Sequence, residues 1–364
     1  MKRTLLSSLP LVFAAVWSIP AEAADPPKVI RFGMATVGKG GIPYASDNVS
    51  GLAHQRHAIE EELKGDGIEV EWIYFKGAGP AVNEALANKQ LDFSMQGDLP
   101  AVIGKAGGLN TRLITADSLL ISTYLVVPPE STAKTLADLK GKRVGLFKGT
   151  NMQLSVARAL KAQGLRERDF RIINMDLATI GAALAAKDID AGWFSSEAFL
   201  LQANGTGRII YDIRAQDPRL TRQAHVLVDG DFEQQHPEIV QKVVNGLVKT
   251  AAWTSAAENR EAAIALWANS GTPVSALRAV QEGQSLARRY SPRIDGFFID
   301  RYRATVTESR ELGLLRGDVD VASWVEPKYV DNAIAQLGLQ QLWPVYDADN
   351  RPHVQESAAR DTDR

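Results

Sequence analysis

The chain has 364 residues, of which 45% are hydrophobic and 23% charged, a balance that excludes disordered and fibrous architectures. Its 41 basic and 43 acidic residues give a net charge of −2, without the basic excess usual in nucleic-acid binders. The absence of cysteine excludes disulfide scaffolds, thiolate metal sites, cysteine nucleophiles and a lipid anchor on an N-terminal cysteine. The length favours two domains over one.

The first 23 residues have the pattern of an export signal. Lys2 and Arg3 precede an apolar stretch over 5–19, and Ala21-Glu22-Ala23 fits an A-x-A cleavage site. The stretch is short for a membrane anchor, and no later segment approaches a spanning length. We therefore expect residues 1–23 to be removed and the mature protein to be free in the periplasm, not inserted in a membrane.

Short apolar runs alternate with helical patterns from residue 28 onward. Strands are predicted over 29–34, 68–75 and 91–95, with helices over 50–64 and 77–88. The alternation restarts after 124–128, with strands over 143–147, 171–174 and 191–194 and helices over 151–163, 177–186 and from 196. From residue 237 the pattern is strongly helical, with an apolar stripe at Ile239, Val243, Val244, Leu247 and Val248. Such βα units predict two α/β lobes with parallel sheets, and ligand between the lobes at the carboxyl ends of the strands.

No set of residues with the pattern of a catalytic or cofactor site emerges. The run that ends at Lys39 is close to a P-loop, but Gly40 stands where the motif requires serine or threonine. His54 and His57 lie three residues apart on a predicted helix, without the further ligands that a metal site needs, so a solvated helix face is favoured. We predict no enzyme activity, no metal and no cofactor.

Several segments occur in the order found in one family of transport proteins. They are 75–86 (FKGAGPAVNEAL), 91–101 (LDFSMQGDLPA), 136–145 (LADLKGKRVG), 148–151 (KGTN), 190–193 (DAGW) with 197–199 (EAF), and 231–240 (DFEQQHPEIV). On these segments, the chain resembles the periplasmic solute-binding proteins of ABC importers for aliphatic sulfonates, taurine and nitrate over about 28–342. The first two segments are most similar to the sulfonate-binding branch.

The resemblance implies a type II periplasmic-binding-protein fold, with two α/β lobes joined by a hinge that the chain crosses twice. The crossings would fall near 122–124 and 223–225, which gives a first lobe of 26–122 plus 225–348, a second lobe of 123–224 and a flexible tail of 349–364. The implied function is capture of a small organosulfonate by lobe closure and its delivery to an inner-membrane permease, by a protein expected to be a monomer. No nucleic-acid partner is expected.

The residues of the fourth segment independently suit a small anion. Gly149, Thr150 and Asn151 open a predicted helix, where free N–H groups and the helix dipole attract negative charge, and Lys148 adds a nearby cation. The alternative is that Thr150 or Asn151 simply caps the helix.

Other candidate residues lie on loops that the resemblance places at the cleft. Lys39, in a glycine-rich loop, either meets the sulfonate or points to solvent, and Trp193 either covers the ligand's carbon chain or belongs to the core. The complete predicted ligand-binding set is Lys39, Gly40, Gly41, Tyr44, Gly97, Asp98, Thr123, Lys148, Gly149, Thr150, Asn151, Trp193 and Glu197.

Two acids in this set conflict with anion binding. Asp98 and Glu197 would repel the ligand unless they pair with a lysine or with an amino group on the ligand, or unless one of them faces away. Pairing with an amino group would indicate an amino-sulfonate or a zwitterionic, buffer-like sulfonate. Taurine, nitrate and an aromatic sulfonate are the alternative ligands. A pyrimidine-precursor binding or synthesis protein on the same fold is a further alternative, although that enzyme group uses a cysteine-rich motif that is missing here. The last alternative is the sensor domain of a signalling system. Such a sensor is normally tethered to a membrane-spanning helix, and the sequence predicts none, so this alternative is disfavoured.

Overall fold

The computed structural model describes residues 25–353, so the predicted signal segment 1–23 and residues 354–364 lie outside it. The described part holds ten strands in two five-stranded sheets. The strands are β1 (Val29–Met34), β2 (Glu69–Tyr74), β3 (Phe93–Gly97), β4 (Thr111–Ile121), β5 (Tyr124–Val127), β6 (Arg143–Leu146), β7 (Arg171–Asn174), β8 (Ala191–Phe194), β9 (Arg208–Asp212) and β10 (Arg222–Asp229).

Helices surround both sheets. They are α1 (Val49–Gln55), α2 (Ala58–Leu63), α3 (Ala78–Ala87), α4 (Asp98–Ala106), α5 (Asn151–Ala162), α6 (Leu177–Ala185), α7 (Glu197–Ala203), α8 (Ile213–Gln216), α9 (Gly230–Gln235), α10 (Pro237–Ser255), α11 (Arg260–Ala268), α12 (Val274–Gln281), α13 (Leu286–Arg289), α14 (Gly296–Glu311), α15 (Val321–Trp324) and α16 (Lys328–Gln336). Short 3₁₀ turns lie between several of them. Across residues 25–353, no helix combines the length and the apolar character needed to cross a membrane.

Each sheet contains one reversed strand. The first sheet has the order β2-β1-β3-β10-β4, with β1 parallel to β2 and β3, and with β10 antiparallel to both of its neighbours. The second has the order β7-β6-β8-β5-β9, with β6 parallel to β7 and β8, and with β5 antiparallel to both of its neighbours. The prediction of purely parallel sheets is therefore wrong for one strand in each.

The reversed strands are the ones that the chain enters when it passes between the sheets. It leaves the first sheet at Ile121, enters the second at Tyr124 and returns to the first at Arg222. The predicted crossing near 223–225 lies within β10, just after this return. We call the first sheet with its helices lobe 1 and the second lobe 2; the exact boundaries of the lobes stay a prediction.

The lobes have separate hydrophobic cores. Lobe 1 buries one face of its sheet against α10, whose predicted apolar stripe of Ile239, Val243, Val244, Leu247 and Val248 is fully internal. Lobe 2 packs Leu125, Val144 and Val156 around the Trp193 indole. At about 25 cal/mol per Å² of apolar surface, this burial is the main term holding each lobe together.

The predicted helix over 50–64 is interrupted. α1 ends at Gln55, and His57 has a left-handed backbone with φ of 53° before α2 begins. The break turns α2 onto α10, where Gly246 leaves room: a Cβ there would lie 2.6 Å from the carbonyl oxygen of Ala58. Tertiary packing therefore overrides the continuous helical pattern of the sequence.

After α16, residues 347–351 form a turn that contacts lobe 1. Asp347 N donates to Arg351 O at 2.9 Å, and Arg288 Nε donates to the Asn350 side chain at 2.9 Å. The first residues of the segment that the sequence predicts as a flexible tail therefore contact the body of the protein.

Candidate ligand-binding site

At the edge where the two lobes face each other, the last residues of the parallel strands lie beside the first residues of the reversed strands. In lobe 1, Ala224 of β10 pairs with Gly97, the last residue of β3. In lobe 2, Tyr124 at the start of β5 pairs with Phe194 at the end of β8. Because β10 and β5 are reversed, their first residues, Arg222 and Tyr124, lie beside the carboxyl ends of the parallel strands, where α/β proteins bind ligands.

The two lobes are in direct contact at this edge. A Cβ on Gly97 of lobe 1 would lie 2.5 Å from Cγ and 2.7 Å from Cβ of Asn151, the first residue of α5 in lobe 2. Gly149, with φ of 77°, faces Pro80 of α3, and a Cβ there would lie 3.5 Å from Pro80 Cγ. The predicted loops at Gly97 and at 149–151 therefore meet across the cleft. A side chain larger than that of glycine at position 97 would collide with Asn151.

Arg222 lies at the centre of this contact and is only 8% exposed. One terminal nitrogen donates to the Ser122 carbonyl at 2.6 Å and to Ser195 Oγ at 3.1 Å, and the other reaches Asn151 Oδ1 at 3.4 Å. Its Nε–H has no partner within the described part of the chain. Burial lowers the Arg222 pKa to about 10, so the group is still charged at neutral pH.

Two acids, the buried Asp98 and the half-buried Glu197, act on the charge of this guanidinium. Asp98, the first residue of α4, is 0% exposed; its Oδ1 accepts from Leu99 N at 2.8 Å, while Oδ2 makes no hydrogen bond among residues 25–353. Glu197, the first residue of α7, accepts from Ser195 N at 3.2 Å. Burial raises the pKa of both carboxyl groups, opposed by Arg158 for Asp98 and by Arg222 for Glu197.

Arg158 ties α5 of lobe 2 to α14 of lobe 1. Its Nε donates to Glu308 Oε2 at 2.6 Å and a terminal nitrogen to Thr305 Oγ1 at 2.9 Å. The other terminal nitrogen lies 3.7 Å from Asp98 Oδ2. The Arg158 side chain is nearly fully buried. It therefore links α5 of lobe 2 to two elements of lobe 1, α14 by hydrogen bonds and α4 by the ion pair with Asp98.

A second guanidinium, that of Arg289, contacts strand β4 near its end. One terminal nitrogen donates to the Leu119 carbonyl at 2.6 Å and the other pairs with Asp47, which also accepts from Tyr290 OH at 2.6 Å. Burial, and then the positive charge of Arg289, lowers the pKa of Arg222.

Sequence comparison assigns the family. The profile of the family described as NMT1/THI5 like matches residues 63–263, more than half of the chain. The chain belongs to the NMT1/THI5-like family.

The relatives of this NMT1/THI5-like chain include proteins named as sulfonate-binding. SsuA of Methylobacillus flagellatus KT, a periplasmic sulfonate-binding protein of a sulfonate ABC transporter, is 31% identical, with a TM-score of 0.77 over 88% of this chain and 98% of that one. An aliphatic sulfonates-binding protein of Bacillus subtilis (strain 168) is 28% identical over 204 residues; the match spans 56% of this chain and 60% of that relative's length.

A third comparison supports the fold. The alkanesulfonate-binding protein SsuA of Xanthomonas axonopodis pv. citri, solved bound to MOPS, is 24% identical with a TM-score of 0.69, over 83% of this chain and 99% of that one. The predicted type II periplasmic-binding-protein fold is thereby confirmed for this member of the NMT1/THI5-like family.

The predicted residues of lobe 1 and of the first crossing lie in different parts of the structure. Gly97 and Asp98 lie at the contact between the lobes. Lys39, Gly40 and Gly41 form an exposed loop, in which Lys39 N donates to Ser270 O at 2.7 Å. Tyr44 lies further along this loop, with its ring centroid 5.5 Å from that of His54. Thr123, in the first crossing, is buried, and its hydroxyl makes no hydrogen bond within residues 25–353.

Several predicted contacts of lobe 2 have structural partners instead. Lys148 pairs with Glu167 at 3.2 Å, within its own lobe. Thr150 caps α5: its hydroxyl accepts from Met152 N at 3.3 Å and donates to Phe147 O at 2.8 Å.

For Trp193 the sequence leaves two alternatives, a contact with the ligand and a position in the core. Its indole is 2% exposed and packs edge-on against Tyr211 in the lobe 2 core, with ring centroids 6.2 Å apart. Alternation along β8 directs the Trp193 side chain into the core, which favours the core alternative, and a contact with the ligand's carbon chain stays a prediction.

The sequence prediction missed Arg222, Arg289 and Tyr124. It considered only loops that follow parallel strands, whereas Arg222 and Tyr124 begin reversed ones. A signal for Arg222 was present: with period 2 it shares a face with Ala224 and Val226, so a charge stands at the start of an apolar face. For Arg289, on a single helical turn, we find no such signal.

Proposed function

We propose that this protein is the substrate-binding component of an ABC importer and captures a small organosulfonate between its two lobes. The observation that carries the proposal is the Arg222 guanidinium, buried where the lobes meet, charged at neutral pH and with an Nε–H that has no acceptor in the described chain. An oxyanion supplies that acceptor, since charge-assisted hydrogen bonds from arginine are about twice as strong as neutral ones. The sulfonate-binding relatives support the same ligand class.

Groups from both lobes complete the anion site. The Ser195 hydroxyl lies 3.1 Å from Arg222, and Asn151 opens the twelve-residue helix α5, whose amino end favours negative charge. Asp98 and Glu197 oppose the anion, but their raised pKa values reduce the cost, because a protonated carboxyl group does not repel the ligand. Closure of the lobes on the ligand then makes contacts that neither lobe offers alone.

The compartment and partners follow from the same proposal. One sulfonate-binding relative of known structure is named as a periplasmic protein, which supports a periplasmic location for this chain. We infer that the closed, loaded protein docks as a monomer on a membrane permease and releases the sulfonate there. No bond is made or broken in this cycle, so the protein acts as a receptor.

Calorimetry on refolded, ligand-stripped protein tests the proposal. The panel contains alkanesulfonates of graded length, taurine, an aromatic sulfonate, nitrate, sulfate and a thiamine-precursor pyrimidine, in buffers that are not themselves sulfonates. Saturable binding of sulfonates supports the proposal. Binding of nitrate or the pyrimidine alone would assign a different ligand to the same fold, and no binding at all would refute the receptor function.

A matched pair of variants tests the role of Arg222. Arg222→Lys keeps the charge but removes Nε–H and the forked geometry, and we expect sulfonate affinity to fall by about 10- to 100-fold, the value of a charged hydrogen bond. Arg143→Lys is the control, because Arg143 also begins a strand but lies at the opposite end of the lobe 2 sheet, paired with Asp190 at 3.1 Å. Equal affinity in both variants would remove Arg222 from the site.

A further inference from the structure

Two charged pairs connect helix α5 of lobe 2 to helix α14 of lobe 1. Arg158 Nε donates to Glu308 Oε2 at 2.6 Å, and Lys161 Nζ donates to Glu311 Oε2 at 2.9 Å. The partners are three residues apart on both helices, so the two pairs lie about one turn apart along the same faces. In each pair the cation is on α5 and the acid is on α14. The helices are therefore held together at two matched positions.

The two helices belong to different hydrophobic cores. Val306 of α14 packs in one cluster with Leu113 and Leu227 of the lobe 1 sheet. Val156 of α5 packs in another cluster with Val144 of the lobe 2 sheet. The charged pairs are therefore contacts between the lobes and do not belong to the core of either.

Helix α5 also carries a residue of the candidate anion site. Oδ1 of Asn151, the first residue of α5, lies 3.4 Å from a terminal nitrogen of Arg222 in lobe 1. At 1.5 Å per residue, Arg158 and Lys161 lie about 10 and 15 Å further along the helix axis. A tilt of α5 about its first residue therefore displaces Lys161 more than Arg158. The two pairs with α14 are complete in the arrangement in which Asn151 reaches Arg222.

The two pairs differ in burial and in the number of their contacts. The Arg158 side chain is 4% exposed and also donates to Thr305 Oγ1 at 2.9 Å and to the Thr221 carbonyl at 3.3 Å. The Lys161 and Glu311 side chains are 73% and 55% exposed and form only this one pair within residues 25–353. Separating a buried charged pair is costly, whereas an exposed pair contributes little and separates easily. Arg158 is therefore the fixed part of the contact and the Lys161–Glu311 pair the part that opens.

We propose that the pairing of α5 with α14 is a latch that holds the lobes in the ligand-binding arrangement, and that the exposed Lys161–Glu311 pair sets how easily the latch opens. This inference rests on the proposed function, because it takes the ligand to be bound by groups of both lobes. Apparent affinity falls with the fraction of molecules in the binding arrangement. A weaker latch therefore lowers the affinity and speeds release of the ligand.

Charge reversal at the exposed pair tests the latch without touching either core. Glu311→Lys places two lysines opposite each other, and we expect the affinity for propane-1-sulfonate, measured by calorimetry, to fall about 3- to 10-fold. Glu130→Lys is the matched control, since the Glu130 side chain is 56% exposed and pairs with Lys187 at 2.5 Å within lobe 2. The Lys161→Glu/Glu311→Lys double variant restores the pair with reversed charges, so its affinity should return to within about 2-fold of the wild type. Equal affinities in Glu311→Lys and Glu130→Lys would overturn the latch.

A distance measurement without ligand separates failure of the latch from failure of the proposed function. The chain has no cysteine, so Lys76→Cys and Ala178→Cys introduce two specific sites for spin labels. Both positions are exposed and follow edge strands, β2 in lobe 1 and β7 in lobe 2. In this labelled background, pulsed electron paramagnetic resonance should show fewer short distances between the labels in Glu311→Lys than in the parent protein, and no change in Glu130→Lys.

The other outcomes of the distance measurement count against the latch. A shift of Glu311→Lys to shorter distances would mean that the pairs hold the lobes apart, and unchanged distances would mean that they do not hold the lobes at all; either result would overturn the inference. If the wild-type protein bound no sulfonate, the proposed function would fail, while the distances would still show whether the pairs hold the lobes together.

Discussion

At the scale of single residues, the candidate site balances the charge of the buried Arg222 against those of the buried Asp98 and the half-buried Glu197. Arg222 is held at the lobe contact by backbone and side-chain acceptors, and the Asp98 and Glu197 carboxyl groups lie near enough to act on its pKa. Burial disfavours the ionised form of all three groups. An anion that reaches Arg222 changes this balance, because it favours the cation and disfavours the two carboxylates.

The first prediction follows from that coupling. A bound sulfonate raises the pKa of Asp98 and Glu197 further, so the complex holds more protons than the free protein. Affinity should therefore increase as the pH falls from neutral toward the ordinary carboxyl pKa values of 3.8 and 4.5, which both groups exceed in the folded protein. Calorimetry in buffers with different ionisation enthalpies measures the protons taken up.

The Asp98→Asn/Glu197→Gln double variant is the control for this prediction. Its amides are similar in size to protonated carboxyl groups but do not titrate, and the amide oxygen introduced at position 98 can still accept from Leu99 N, as the Asp98 carboxylate does now. We expect its sulfonate affinity to be nearly independent of pH. Release of protons on binding to the wild-type protein would contradict the coupling.

At the scale of elements, the sequence was most informative where a local pattern has one structural solution. The strands over 29–34, 171–174 and 191–194 and the apolar stripe of α10 are all found where they were predicted. The helix over 50–64 is divided, because its second half must lie on α10 at Gly246. Contacts between distant segments of the chain decide that break, and no window of the sequence contains them.

Strand direction explains most of what was missed at the site. Alternating βα patterns predict parallel strands and direct attention to their carboxyl ends. The strand entered at each crossing runs the other way, so its first residue reaches the same edge. Arg222 and Tyr124 could be placed there only once the pairing of β10 with β3 and of β5 with β8 was known.

The second prediction concerns Trp193, which lies on strand β8. Trp193 faces the lobe 2 core, where it contacts Tyr211 and packs with Leu125 and Val144. Trp193→Ala should therefore lower the free energy of unfolding by about 3–5 kcal/mol, the usual cost of truncating a large buried aromatic residue. Denaturant unfolding followed by circular dichroism measures the loss.

Trp193→Phe is the matched control, since it keeps an aromatic ring in the core and should cost less. Ligand affinity, measured where each variant is fully folded, should change little in Trp193→Phe. If the Trp193→Ala protein had normal stability but no longer bound sulfonate, the core assignment would be contradicted and Trp193 would be assigned to the ligand site.

At the scale of the whole molecule, the contact between the lobes is close enough to be blocked by one methyl group. Gly97 has an ordinary extended backbone, with φ of −84° and ψ of 166°, so alanine is tolerated there by the backbone itself. Its Cβ would nevertheless lie 2.5 Å from Cγ of Asn151 in the other lobe. We therefore expect Gly97→Ala to raise the free energy of bringing the lobes together and to leave the stability of each lobe unchanged.

The third prediction is that Gly97→Ala affects ligand-induced closure of the lobes and not folding. We expect Gly97→Ala to keep the melting temperature of the ligand-free protein but to lose affinity by about 5- to 150-fold, which corresponds to an overpacking cost of about 1–3 kcal/mol. Small-angle X-ray scattering should show a smaller ligand-induced decrease in the radius of gyration than in the wild-type protein. Gly65→Ala is the matched control, because a Cβ at that position has no atom within 4 Å.

A compensating change separates steric blocking from other effects of the substitution. In the Gly97→Ala/Asn151→Gly double variant the opposing side chain is removed, so the lobes can approach again and the ligand-induced contraction should return. Affinity need not recover fully, because Asn151 also contacts Arg222. A Gly97→Ala protein that contracts as fully as the wild type would show that the ligand-bound lobes stop short of this contact, and that the anion lies in a more open cleft than Arg222 and Asn151 now define.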